Sequence, residues 1–160
     1  MIIRRAAAFA AFLTAAACAT PPGGTTASTA PERAPPETAV VLQALSSPSL
    51  PSGECGMILW TLDDTRPAPV FRYVAGKKGT VSVRGVVVDL VRLEAGGSMA
   101  FGVAERQVFE GPEGLRITVD ARFGLGFDGG TYLERGLITV ESSEGWRAVS
   151  PTAGIAGCRS

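Results

Sequence analysis

From residue 55 to residue 149, apolar positions recur with a period of two, in short runs set apart by Gly, Pro, Asp and Ser, and no stretch carries the spacing of an amphipathic helix. The sharpest run is 115–123. There Leu115, Ile117, Val119, Ala121 and Phe123 alternate with Arg116, Thr118, Asp120 and Arg122, which predicts a strand with one buried and one wet face. Residues 57–62 and 70–74 read as a hairpin around a longer loop at Asp63-Asp64-Thr65-Arg66-Pro67. Gly76-Lys77-Lys78-Gly79 reads as a turn before a strand at 80–83. Arg84-Gly85 is either a tight turn or a bulge, because the apolar phase shifts there before 86–93. Gly96-Gly97 is read as the next turn, with strand residues at 99–101 and 107–109. Beyond 115–123 come a turn at 125–130, a strand at 132–141, a turn at Ser143-Glu144-Gly145 and a last strand at 146–149. Eight or nine short strands at spacings of roughly 8 to 12 residues predict an all-β fold, a small antiparallel meander closed into a barrel or folded as a sandwich.

The pattern ahead of these strands is different in kind. Met1-Ile2-Ile3-Arg4-Arg5 is cationic, and 6–17 carries no charge and a single hydroxyl, Thr14, which is the layout of a secretory signal. As a helix, 6–17 covers about 18 Å, short of a hydrocarbon layer of about 30 Å. Leu13-Thr14-Ala15-Ala16-Ala17-Cys18 resembles the lipobox of bacterial lipoproteins. That resemblance implies a diacylglycerol on the Cys18 thiol, cleavage just before it and an acylated amino terminus. The family's leucine three places before the cysteine is Ala15 here, with Leu13 two places further back. An ordinary signal cut after Ala17 is the alternative, and it leaves Cys18 as an odd thiol. Ala19, rather than Asp, follows the cysteine, a pattern similar to that of lipoproteins sorted to the outer membrane. The expected organisation is a signal at 1–17, a lipidated cysteine with a disordered Pro/Thr/Ala-rich tether at 18–38, and one β domain at 39–160. Within 38–51, an apolar segment closed by serines and prolines is expected to supply a first strand or one helical turn.

Charge adds little footprint. The signal holds two of the 15 basic residues and none of the 15 acidic ones, so the remainder is close to neutral. Neither nucleic acid nor an anionic bilayer surface finds a basic patch in such a chain. Membrane attachment is therefore expected through lipid on Cys18, where two acyl chains already make a stable anchor. Cys55 and Cys158 remain, at the opening of the first clear strand and near the carboxyl end, and in an oxidising compartment they are expected to pair. A two-cysteine metal site lacks histidine to complete it, since the chain has none.

The same absence removes Ser-His-Asp and Cys-His catalysis. Gly124-Leu125-Gly126-Phe127-Asp128-Gly129 spells a dinucleotide fingerprint but leads into a strand rather than a helix. Ser98, between glycines and Met99, lacks the strand-to-helix setting of a nucleophile. Most carboxylates sit in turns or on polar strand phases. Asp89, among apolar neighbours in 86–93, is expected to face a cross-strand Arg, and Asp63-Asp64 lacks the oxygen spacing of a calcium loop. No cofactor or metal is expected. Trp60, Phe71, Tyr73, Phe101, Phe109, Phe123, Phe127, Tyr132 and Trp146 all fall in or beside strands, as a core or as the lining of a barrel-mouth pocket.

A lipid-anchored β domain with one cysteine by its first strand, another at its end and a Gly/Ser turn before an aromatic also resembles the membrane-bound inhibitors of C-type lysozyme. The stretch that carries this likeness is Ala95-Gly96-Gly97-Ser98-Met99-Ala100-Phe101. In that family a serine- and glycine-rich hairpin loop enters the lysozyme cleft, which implies a partner-binding turn at Gly96, Gly97, Ser98, Met99 and Phe101. The first serine of the family loop is missing, Phe101 stands where Tyr is usual, and this domain is several strands longer. The sequence thus points to a non-enzymatic envelope lipoprotein facing the periplasm from the outer membrane, its β domain serving structure or an envelope protein partner. Lysozyme inhibition and carriage of a small hydrophobic ligand are the alternatives. Strand alternation resuming at Met99 is expected to carry Met99 and Phe101 to one face.

Overall fold

The computed structural model describes residues 42–62 and 66–160. Nine strands and one 3-10 turn, Pro112–Gly114, make up its regular structure. The strands are β1 (Leu42–Gln43), β2 (Cys55–Thr61), β3 (Pro69–Val74), β4 (Gly79–Val83), β5 (Val86–Ala100), β6 (Val103–Glu110), β7 (Arg116–Phe127), β8 (Gly130–Glu141) and β9 (Arg147–Cys158). From β2 onward each strand pairs antiparallel with its successor, and β9 returns to β2 in continuous register from Cys55↔Cys158 to Thr61↔Thr152. Eight strands thus close an up-and-down barrel, the barrel form of the expected meander. β1 is additional. It lies against Val83 and Ser82 of β4, beyond the point where β3 stops pairing with that strand. The expected signal, lipidated Cys18, tether and Asp63-Asp64 loop lie outside the described residues.

Short connections follow from turn chemistry. Arg84-Gly85 joins the paired residues Val83 and Val86 with φ of 52° and 80°, and Phe101-Gly102 joins Ala100 and Val103 with φ of 54° and 74°. Two positive central φ values match the twist of the flanking strands, and Gly at the second position removes half the strain. The expected turn at Gly96-Gly97 is not there. Gly96 pairs with Arg106, Met99 pairs with Ala104, and Gly97-Ser98 form a bulge between them, so β5 runs unbroken for 15 residues. A glycine pair serves a bulge as readily as a turn, and the alternation alone did not separate the two.

The barrel interior is filled. Phe109 meets Phe71 and Tyr73 edge-on, with ring centroids 5.2 and 5.3 Å apart. Met57, Leu59, Val81, Leu90, Ile117, Leu133 and Ile138 close around them. Aromatic pairs of this geometry add about 0.5 to 1.5 kcal/mol each beyond their area burial. Gln107 and Arg92 bring polar groups into this space. Gln107, at 0% exposure, directs its amide nitrogen to Met57 Sδ at 3.8 Å, and half-buried Arg92 donates to Gln107 Oε1 and to the Gly102 carbonyl, each at 3.1 Å. The Arg92 guanidinium lies 5.1 Å from the centre of the Tyr73 ring. Its charge is thus met by a π face and two neutral acceptors.

Two expectations about side chains change. Asp89 is exposed and pairs with Lys78 rather than an arginine, because Val88, Leu90 and Arg92 are the inward positions of β5 and Asp89 falls between them. Phe127 and Tyr132 are not core; their rings meet outside the barrel, 5.1 Å apart. Residues 44–54 run along the outer wall as a strap. Leu50 packs there with Ile58 and Val74, Arg72 donates to the Ser47 and Ser49 carbonyls, and Arg159 donates to the Leu50 carbonyl at 2.7 Å.

A candidate partner-binding crevice

At the barrel end that carries the disulfide, two ribbons part. β6 and β7 are paired from Glu110↔Arg116 down to Arg106↔Asp120, and their registered pairing stops there. β6 continues back to Val103 against β5 alone, and β7 continues to Phe127 against β8 alone. Both ribbons carry bulges at this level. On one, Gly97, with φ of 81°, and Ser98 lie opposite Glu105; on the other, Arg135, with φ of 50°, and Gly136 lie opposite Ala121. Bulges sharpen local twist and bend a strand, which accounts for two ribbons diverging where the pairing ends.

Between them lies a crevice of about 530 Å³ lined by Gly96, Gly97, Glu105, Arg106, Asp120, Ala121, Arg122 and Arg135. Arg106 closes its floor with two hydrogen bonds to Asp120, at 2.8 and 3.0 Å. The Glu105 carboxylate accepts the Ser98 amide at 3.2 Å and lies against Gly97, where a Cβ would come 3.1 Å from its Oε2. Arg122 and Arg135 form no ion pair among the described residues. The crevice therefore carries two uncommitted guanidinium groups against one carboxylate already held by a backbone amide.

Of the five residues expected in a partner-binding turn, Gly96 and Gly97 line this crevice and Ser98 is fixed at its rim. Met99 and Phe101 do not share a face. Met99 points to solvent at 60% exposure, whereas Phe101 packs onto the core and Gly102 presses on Ala75, so the hairpin tip folds over the barrel end. Arg122 and Arg135 were not singled out from sequence. Arg122 was legible as an outward residue of β7, but its role depends on where β6 stops pairing, and Arg135 depends on a bulge that alternation hides.

The disulfide between Cys55 and Cys158 is present, linking β2 to β9 at the end of their shared register. Two other concavities flank the fold. One, of about 410 Å³, is the opposite barrel mouth, with Val83, Val88 and Leu115 as apolar walls and Glu113 and Glu144 at its rim. The other, of about 360 Å³, runs outside the barrel past Leu50, Ile58, Phe127 and Ile155. Among the described residues, no group of three or more His, Cys, Asp or Glu is placed to hold a metal ion, and no helix is long and apolar enough to cross a membrane. Comparison of the chain with family models, with characterised proteins and with solved structures gives no match.

Proposed function

We propose that this chain is a lipid-anchored lipoprotein of the cell envelope, held at Cys18 and facing the periplasm, whose barrel is a non-catalytic module for binding another protein. The observation that carries the reading is a contrast within the fold. The interior is occupied by Phe71, Tyr73, Phe109, Arg92 and Gln107, while the crevice outside it holds charged side chains and strand segments paired on one side only. Recognition then falls to the outer surface. A small hydrophobic ligand would find the barrel interior filled, and would be left with shallow sites such as the mouth beside Val88 and Leu115 or the outer concavity past Leu50 and Ile58. Lysozyme inhibition through a projecting Gly/Ser loop draws no support from Ser98, which sits in a bulge tied to Glu105.

The lipid anchor and the tether of 18–38 keep the barrel near a membrane, which suits a module that meets partners in the same compartment. A photo-crosslinking amino acid placed at Arg122, compared with one at Val87 on the far side of β5, tests the reading in intact cells. A discrete crosslinked species from position 122 and none from position 87 is the expected result. Absence of any protein crosslink from either position would overturn it.

A further inference from the structure

Resting on that reading, we infer that the free edge of β7 accepts an extended, acidic segment of a partner protein as an added antiparallel strand. From Ala121 to Phe127, β7 has β8 on one side and, among the described residues, no registered strand on the other. At about 3.3 Å per residue, these positions offer an edge of about 23 Å, enough for a strand of ordinary length. Backbone N–H and C=O groups along such an edge are a template for another chain. The start of the edge, Ala121 and Arg122, lines the crevice, with Glu105 and Arg106 of β6 across from it.

Side chains set the chemistry of the occupant. Arg122 and Arg135 meet the incoming strand with no ion pair among the described residues, and Arg106 is neutralised by Asp120. Leu125, at 78% exposure the most open large apolar side chain described, stands further along the same edge. An added strand that alternates acidic and apolar residues satisfies both, with carboxylates beside the two arginines and apolar groups over Leu125. The other extended edge at this end, β5 beyond Leu90, is bulged at Leu93 and at Gly97-Ser98, and β7 is bulged at Gly124-Leu125, so it is the two arginines rather than strand regularity that favour β7.

The test selects a phage-displayed library of random linear peptides on the purified full-length protein and maps the selected peptides by amide hydrogen exchange. Expected are peptides in which Asp or Glu alternates with apolar residues and which slow exchange within 121–127. Their binding weakens with salt and falls at least tenfold in the variant carrying Arg122→Glu and Arg135→Glu. Should that variant unfold, Arg122→Gln with Arg135→Gln replaces it, with the same expectation. Peptides without acidic enrichment, acidic peptides that protect the barrel mouth or the Phe127 and Tyr132 face, or no selected peptide at all would each overturn strand addition. So would concentration-dependent dimerisation with 121–127 protected in the absence of peptide, which would make the occupant a second copy. Binders that protect another surface, together with a crosslink at position 122 in cells, would leave partner binding standing and remove only the strand.

Discussion

Met99 and Phe101 are two residues apart, yet they do different work, because the two-residue turn at Phe101-Gly102 takes Phe101 out of the alternation that Met99 obeys. Truncating the exposed Met99 to Ala is expected to leave stability within about 0.5 kcal/mol of wild type. Phe101→Ala opens a gap between the hairpin tip and the core, and is expected to cost about 2 to 4 kcal/mol, somewhat less than a fully buried Phe. Thermal melts compare the two directly, and equal losses would refute the separation. At this scale the sequence is most legible where one residue type has one use. The inward set Ile117, Val119 and Ala121 and the outward set Arg116 and Arg122 stand where the alternation places them. Glycine was less informative, since Gly96 and Gly97 could stand equally in a turn or a bulge.

Among the strands, β9 was the least visible. Its second half, 150–158, combines Pro151 with Gly154, Gly157 and two alanines, and offers no apolar alternation to read. The structure explains this composition. Pro151 sits at the end of β2, where its carbonyl accepts the Leu62 amide and a missing N–H faces no further strand residue. A Cβ at Gly154 would come within 2.1 Å of the Ile58 carbonyl oxygen, so the close β2–β9 seam admits no larger residue there. Small side chains that silence the pattern are thus what the seam requires. Across it lies the disulfide, with a sequence separation of 103. For a loop of that size the chain-entropy model gives about 4 to 5 kcal/mol, so replacing both Cys55 and Cys158 by Ser is expected to lower the denaturation midpoint by a corresponding amount without changing the fold. Urea titrations of the two forms check it; coincident midpoints would show that the bond adds nothing.

For the whole molecule, the barrel fills its interior with apolar residues and places Arg72, Arg106, Asp120 and Arg122, among exposed apolar ones such as Val87 and Val91, on the outer wall or its rim. A membrane-spanning barrel shows the opposite arrangement, with an apolar band toward lipid. Attachment to a membrane accordingly belongs, in our proposal, to Cys18 alone. Cys18→Ser is expected to give an unprocessed or soluble chain, and mass spectrometry of the wild-type protein to show acyl mass on Cys18. A mature chain that begins at Ala19 or later with no lipid would end that part of the proposal. The overall architecture could be read from strand count and spacing, because a meander needs only neighbours in sequence. The crevice could not, since it arises from where β6 and β7 cease to pair.

The β2–β9 seam also imposes an order in time. Every other backbone pairing between barrel strands joins sequence neighbours and can form as a hairpin, whereas β2 must wait for a strand about a hundred residues later. A chain that emerges amino end first therefore holds β2 with one edge open and Cys55 without Cys158 until 103 further residues have appeared. During that interval the molecule is an open sheet exposed to wrong strand partners and wrong thiols, and closure is a single late event. With the Cys55–Cys158 bond already made, the ends of the seam begin together. Refolding of the oxidised protein in stopped-flow is accordingly expected to outpace that of the reduced protein, and equal rates would mean that bringing β2 to β9 is not the step that sets the pace.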